Sequence, residues 1–301
     1  MEVFDSPERE NAPDALAPEA LACWVALSRV TGIGPVGFKA LLDYFHDDVE
    51  AAWKAGRLEL ARAGIARRAI ENLLKQRATI TPQEEMQKLQ RMRIGVLTWK
   101  DKLYPPLLRE IEDAPPLLYL YGKLTEADRF ALAVVGTRNS SAYGKQVTER
   151  MVTELVRGDV TIVSGLALGI DTLAHSAALE AGGRTIAVLA SGLDIIYPPV
   201  NRALARRIVE SGQGVLMSEY PPGSQPEGGN FPARNRIISG LSLGVLVVEA
   251  PEKSGALITA DRALKQGRDV FAIPGSILSS RSAGAHRRWR SAMGRRFGGV
   301  Y

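Results

Sequence analysis

The chain is 301 residues long and 46% hydrophobic, with 38 Lys and Arg against 33 Asp and Glu, three His and one Cys. A single cysteine excludes a disulfide scaffold, so few Cys and His argue against a zinc site, and both counts fit a reducing cytosol. No run approaches the roughly 18 apolar residues of a membrane-spanning helix, so a cytoplasmic protein without membrane attachment is expected.

The net charge of +5 is unevenly spread. Residues 1–53 carry 3 basic and 10 acidic side chains, 54–109 carry 13 and 5, 110–280 carry 16 and 18, and 281–301 carry six Arg and no acid. The total therefore reports two local basic segments, one of them a tail, and not a generally basic surface.

In chain order, residues 1–19 form an acidic, Pro- and Ala-rich stretch that reads as a flexible leader, not as a signal peptide. Residues 20–93 carry helical patterning. Gly32 and Gly34 flank one apolar residue, Pro35 opens a helix, and Leu41, Leu42 and Phe45 supply its buried face. Ala63 to Leu74 is a weaker echo of the same pattern. This segment resembles a helix-hairpin-helix, although a simple helical turn has the same spacing. Ile94–Trp99 and Leu117–Tyr121 are strand candidates on either side of a Pro-rich stretch.

From Ala131 the alternation becomes regular. Strands are expected at 131–135, 160–163, 185–189, 215–217, 245–248 and 270–273, with helices after them, including one to about Arg157, one over Val200–Glu210, a short one around Arg234–Ser239 and one over Ala256–Lys265. Short apolar runs alternating with helices predict an α/β fold: a doubly wound, mostly parallel, Rossmann-like sheet over 94–284, preceded by the small helical domain. Residues 285–301 form a basic tail.

Ligands of open α/β sheets bind beyond the carboxyl ends of the strands. There this sequence places Gly136-Thr-Arg-Asn-Ser-Ser-Ala-Tyr-Gly144, Ser164-Gly165, Ser191-Gly-Leu-Asp194, Phe231-Pro-Ala-Arg-Asn-Arg236 and Glu249-Ala-Pro-Glu-Lys-Ser-Gly255. Gly136 permits a tight turn, Arg138 offers a fork for phosphate, Tyr143 offers a stacking face, and Ser164 and Gly165 let backbone approach an anion. The G-x-G-x-x-G dinucleotide fingerprint and the P-loop are both missing.

Taken in order, Val135-Gly-Thr-Arg-Asn139, Ser164-Gly-Leu-Ala-Leu-Gly-Ile-Asp171 with Ala174-His175, Gly192-Leu-Asp194 with Tyr197-Pro198, Ser218-Glu-Tyr220, Phe231 to Ser242, Val248-Glu-Ala250, Ser254 to Ala260 and Ala272-Ile-Pro-Gly275 resemble the DprA/Smf (DNA-processing protein A) family. The resemblance runs from about Pro105 to Gly284, without the winged-helix domain that many members carry. It implies a cytoplasmic, non-enzymatic protein without cofactor. Such a protein binds single-stranded DNA, protects incoming DNA in natural transformation, helps load RecA and acts as a homodimer. The candidate DNA-binding residues are Gly136, Thr137, Arg138, Tyr143, Gly144, Ser164, Gly165, Phe231, Arg234, Asn235, Arg236, Lys253, Ser254 and Gly255. The basic residue that some members place just before the Phe is not found in Pro226-Glu-Gly-Gly-Asn230.

Simpler readings stand beside these. Arg138, Arg234 and Arg236 are also suited to pair with Asp171, Glu219 or Glu249, and one of the last two arginines is expected to be structural. Tyr143 and Phe231 also fit as core aromatics, Phe231 being the better stacking candidate because it stands in a Gly/Pro loop. Asp171 and His175 lie four apart on one helix face, which fits a cap or hydrogen-bond network better than a metal site lacking a third ligand. The alternative function is a base-releasing nucleotide hydrolase on a related sheet, with Asp171, Glu219 or Glu249 as general base; the Pro-Gly-Gly-x-Gly-Thr loop of such enzymes is replaced here by Pro274-Gly275-Ser276. The Arg-rich run from Arg287 replaces the family's apolar helix; it reads as an out-of-frame or truncated product of a GC-rich gene, with a functional basic tail as the alternative.

Overall fold

The computed structural model describes residues 16–275, 279 and 281–284. Most of the expected leader and the basic tail from residue 285 lie outside the described residues. The chain divides into two compact units, one of residues 1–104 and 112–120 and the other of residues 105–111 and 121–301.

The first unit contains helices α1 (Pro18–Ser28), α2 (Pro35–Tyr44), α3 (Val49–Lys54), α4 (Arg57–Arg62), α5 (Arg67–Gln76) and α6 (Pro82–Arg91). Helix α1 begins at Pro18, inside the expected leader, because a proline in the first turn forfeits no intrahelical hydrogen bond. The turns before α2 and α5 each hold a glycine in the left-handed region, Gly32 at φ +96° and Gly64 at +80°, so the echo seen in the sequence is a repeated turn geometry. Strands β1 (Gly95–Thr98) and β2 (Leu117–Tyr121) pair antiparallel. They group with these helices through aromatic packing: Trp24 stacks on Phe38 at 4.9 Å and meets the edge of Trp99 at 6.5 Å, and its indole N–H donates to the Pro116 carbonyl at 2.9 Å.

The second unit contains the short helix α7 (Pro106–Arg109) and six parallel strands: β3 (Ala131–Val135), β4 (Thr161–Ser164), β5 (Thr185–Val188), β6 (Gly214–Ser218), β7 (Gly244–Val247) and β8 (Asp269–Ala272). Their order is β6-β5-β4-β3-β7-β8. The connecting helices are α8 (Ala142–Arg157), α9 (Ile170–Glu180), α10 (Arg202–Glu210), α11 (Asn230–Gly240) and α12 (Gly255–Lys265). With right-handed crossovers, the winding from β3 to β6 lays α8, α9 and α10 on one face, and the return through β7 to β8 lays α11 and α12 on the other. On the α8/α9 face, Val134, Ile162, Leu246 and Val248 pack with Val152, Ile170, Ala174 and Ala178. The fold is thus α/β, doubly wound and mostly parallel, preceded by a small helical domain.

The winding reverses between β3 and β7, which are neighbours in the sheet. Their carboxyl-end loops depart to opposite faces and leave a crevice, the switch point at which such sheets bind ligands.

Candidate nucleic-acid interface

The switch-point crevice is a cleft of about 410 Å³. One wall is the loop after β3, with Gly136, Thr137 and Arg138. The facing wall is the β7–α12 loop and first turns of α12, with Pro251, Lys253, Ser254, Gly255 and Thr259, and the first turns of α11 close it with Phe231, Arg234 and Asn235. Nine of the fourteen candidate residues line this cleft. Gly165 lines a smaller adjoining cavity of about 50 Å³ that shares Arg138, Ala167, Phe231 and Arg234 with it.

Helix α11 starts at Asn230, four residues before the helix expected from sequence. Pro232 sits in its first turn, where a missing N–H is harmless, and the preceding Gly228-Gly229 lets the chain enter. Phe231 is therefore held on a helix and not in a loop. It is half-buried, and the Arg138 guanidinium lies 5.9 Å from its ring centroid, a cation–π arrangement. Arg138 is exposed and makes no ion pair among the described residues.

Arg234 is different. It is 5% exposed, and its Nη1 donates to the carbonyls of Gly165, at 2.8 Å, and Val188, tying the ends of β4 and β5 together. Gly165 has to be glycine because a Cβ there would sit 2.6 Å from the Arg234 guanidinium. Burial lowers the Arg234 pKa to about 10, with Asp171 opposing and Arg138 reinforcing the shift, so it is cationic at neutral pH. Asp171, also buried, accepts from the N–H groups of Gly165 at 3.1 Å and Ala167 at 3.3 Å. Burial raises its pKa, opposed by Arg234 and those backbone donors. Arg138 and Arg234 are thus like charges sharing one cleft, and an anion between them relieves their repulsion. Lys253 is exposed beside the N-terminus of α12, whose cap is Ser254.

The other four candidate residues line neither the cleft nor the smaller cavity. Arg236 is sealed in a two-pronged ion pair with Glu219 at 2.5 and 2.6 Å and also donates to the Ala233 carbonyl at 3.1 Å. Both α11 arginines, not one, are therefore held by protein groups. The Ser164 hydroxyl donates to the Val134 carbonyl at 2.7 Å. Tyr143 donates its hydroxyl to the Pro274 carbonyl at 2.7 Å. Gly144 makes room for Glu249, whose carboxylate accepts from the Ser141 N–H at 2.9 Å and its hydroxyl at 2.6 Å. Gly136 is likewise a packing requirement, since a Cβ there would meet Ile170 at 2.4 Å. His175 is buried, with Nδ1 2.7 Å from the Thr185 hydroxyl. Among the described residues no cluster of three His, Cys, Asp or Glu is arranged to hold a metal.

The sequence reading missed Ala167, Leu168, Tyr197 and Thr259 as lining residues. Thr259 follows Gly255 by four positions on the same helix face, a signal present in the sequence. Tyr197 stood in a quoted motif without a role.

Residues 95–294 match the model of a family described as DNA recombination-mediator protein A. Protein Smf of Synechocystis is 47% identical over 266 residues, covering 87% of this chain and 66% of the relative. DNA processing protein DprA of Streptococcus pneumoniae is 51% identical over 186 residues, covering 62% and 65%. The chain thus spans about two thirds of the length of these curated relatives. The X-ray structure of DprA from S. pneumoniae superposes with a TM-score of 0.77 at 38% identity, over 92% of this chain and 93% of that one. DNA processing protein A of Helicobacter pylori, a structure described as giving insight into a single-stranded DNA binding mode, matches with a TM-score of 0.59 at 31% identity, over 65% and 88%.

Proposed function

Because this chain belongs to the DNA recombination-mediator protein A family, we propose that it binds single-stranded DNA at the switch-point cleft, without sequence preference and without chemistry on the strand. The observation that carries this reading is one open cleft that brings together an exposed Arg138, Lys253 at the N-terminus of α12 and the half-buried ring of Phe231. Cations and helix N–H groups take a phosphate, and the ring takes a base. We extend the reading to protection of incoming DNA, RecA loading and action as a cytoplasmic homodimer, in which two such clefts on one strand raise avidity.

Residues 110–280 carry 16 basic and 18 acidic side chains, so affinity arises from a focused site and not from a broad field. A shallow salt dependence follows, with few phosphates neutralised per protomer. The hydrolase alternative requires an available general base. Asp171, Glu249 and Glu219 are engaged by backbone N–H groups, by Ser141 and by Arg236 respectively, which supports the binding reading.

Fluorescence anisotropy with an oligonucleotide tests this. Arg138→Ala is expected to weaken binding by about 1.5–3 kcal/mol, the range for a hydrogen bond to a charged group. Its unfolding midpoint should stay unchanged, since the side chain is exposed. A folded Arg138→Ala protein with wild-type affinity would remove the cleft from the DNA path.

A further inference from the structure

Tyr197 is 45% exposed and packs against Phe231 with ring centroids 5.6 Å apart and planes tilted by 58°. With Leu168, 43% exposed, and Pro198 it walls the smaller cavity beside Arg138 and Phe231. These side chains form an apolar ledge continuous with the cleft but outside its phosphate-binding part. At about 50 Å³ the cavity beneath is too small to enclose a base. The two rings already touch, so no base enters between them. What remains open is the solvent-exposed part of Tyr197, beside Phe231.

We infer that Tyr197, supported by Leu168 and Pro198, is a second base-stacking platform for the nucleotide next to the one on Phe231. The inference rests on the DNA reading of the cleft and gives it a minimum length, two successive bases per protomer. The chemistry selects the ligand class. An aromatic face flanked by apolar groups and lacking an orienting carboxylate accepts any base, purines with their larger face more strongly. The platform therefore adds affinity that depends on bases and not on phosphates.

The test measures binding of oligo-dT, oligo-dA and an abasic oligomer of equal length to the full chain, to Tyr197→Ala, to Tyr197→Trp and to Arg138→Ala, each at several salt concentrations. Tyr197→Ala should weaken binding of the base-bearing strands by roughly 5- to 30-fold, the lower part of the range for one stacked base. It should change abasic binding less than about 2-fold and leave the salt slope unaltered. Tyr197→Trp should restore affinity, and oligo-dA should suffer more than oligo-dT. Arg138→Ala should weaken all three ligands. Equal losses on abasic and base-bearing strands would place the effect of Tyr197 on the sugar-phosphate backbone and overturn the inference, as would wild-type affinity throughout, or a loss in Tyr197→Ala that disappears when Phe231→Ala is already present, which would make Tyr197 a mere support for Phe231. If the unaltered chain binds none of the ligands, the DNA reading falls and the ledge with it. If it binds and only the Tyr197 variants behave like wild type, the ledge alone falls.

Discussion

Arg234 and Arg138 line the same cleft, yet one is 5% exposed and bonded to two backbone carbonyls while the other stands in solvent over a phenyl ring. The floor of the cleft is a closed network, in which Arg234, Asp171 and Gly165 join the ends of β4 and β5 to α9 and α11. The rim, made of Arg138, Lys253 and the N-terminus of α12, has charge in excess of its internal partners. Buried charge must be matched where it lies, because removing it from water costs several kcal/mol per ion. Exposed charge need not be matched and is therefore available to a ligand. The same residue type thus holds the fold in one place and stands open to solvent in another. Burial, not identity, tells them apart.

The largest expected effect tests whether floor-type arginines are structural. Arg236 and Glu219 have side chains only 6% and 15% exposed. Removing one partner strands the other, so Arg236→Ala should cost about 3–5 kcal/mol in urea-induced unfolding. Replacing the pair together with Met and Leu should cost much less, because no charge is left unpaired. Affinity for single-stranded DNA, measured on the folded fraction, should not change in either protein. A folded Arg236→Ala protein with normal stability and weakened DNA binding would move Arg236 to the rim and break the distinction.

How much of this could be read from sequence follows the same line. Strands such as Ala131–Val135 were legible to the residue because a strand buried on both faces is a bare apolar run. The loops that make the cleft were legible because Gly, Ser and Arg concentrate at strand ends. Floor and rim were not separable, since Arg-x-Arg in Arg234-Asn-Arg236 has no signature for which guanidinium meets carbonyls and which meets Glu219. The helical start of α11 was hidden because Gly228, Gly229 and Pro232 read as breakers, whereas a proline in the first turn is compatible with a helix. Tyr197 was hidden because its partner Phe231 is 34 positions away and meets it only across the sheet's carboxyl edge.

A smaller effect concerns the floor's pH response. The Thr185 hydroxyl donates to the Ile162 carbonyl at 2.8 Å, so it accepts from Nδ1–H of His175 and leaves that ring neutral, with Nε2 unpartnered among the described residues. Burial, with Arg234 nearby, pulls its pKa down to about 3, against about 6.5 in an unfolded chain. Between those values the unfolded chain binds a proton that the folded chain does not. The stability contributed is full above the unfolded value and is lost as pH falls towards 3. Asp171 acts in the opposite direction: burial raises its pKa, so its contribution is present below the ordinary carboxylate value and lost as pH rises. Comparison with His175→Gln isolates the histidine, because both proteins keep Asp171. From pH 7 to pH 5 the wild type should lose about 2 kcal/mol more than the variant in urea unfolding. Equal losses would mean that His175 is protonated in the fold.

The smallest effect sharpens the limit of the rim. Tyr143 opens α8 and is 47% exposed, but its hydroxyl is directed to the Pro274 carbonyl at 2.7 Å and the residue does not line the cleft. Tyr143→Phe removes that one bond, and since the Pro274 carbonyl remains accessible to water the loss should be about 0.5–1.5 kcal/mol in thermal or urea unfolding. Binding to an oligonucleotide should stay within 2-fold of wild type, whereas Arg138→Ala, five positions earlier, should weaken it strongly. The pair of variants therefore sets where fold-holding contacts stop and ligand-facing groups begin along one loop. A stable Tyr143→Phe protein with clearly reduced DNA affinity would extend the rim across Ser141 to the first turn of α8, and with it the number of phosphates one protomer holds.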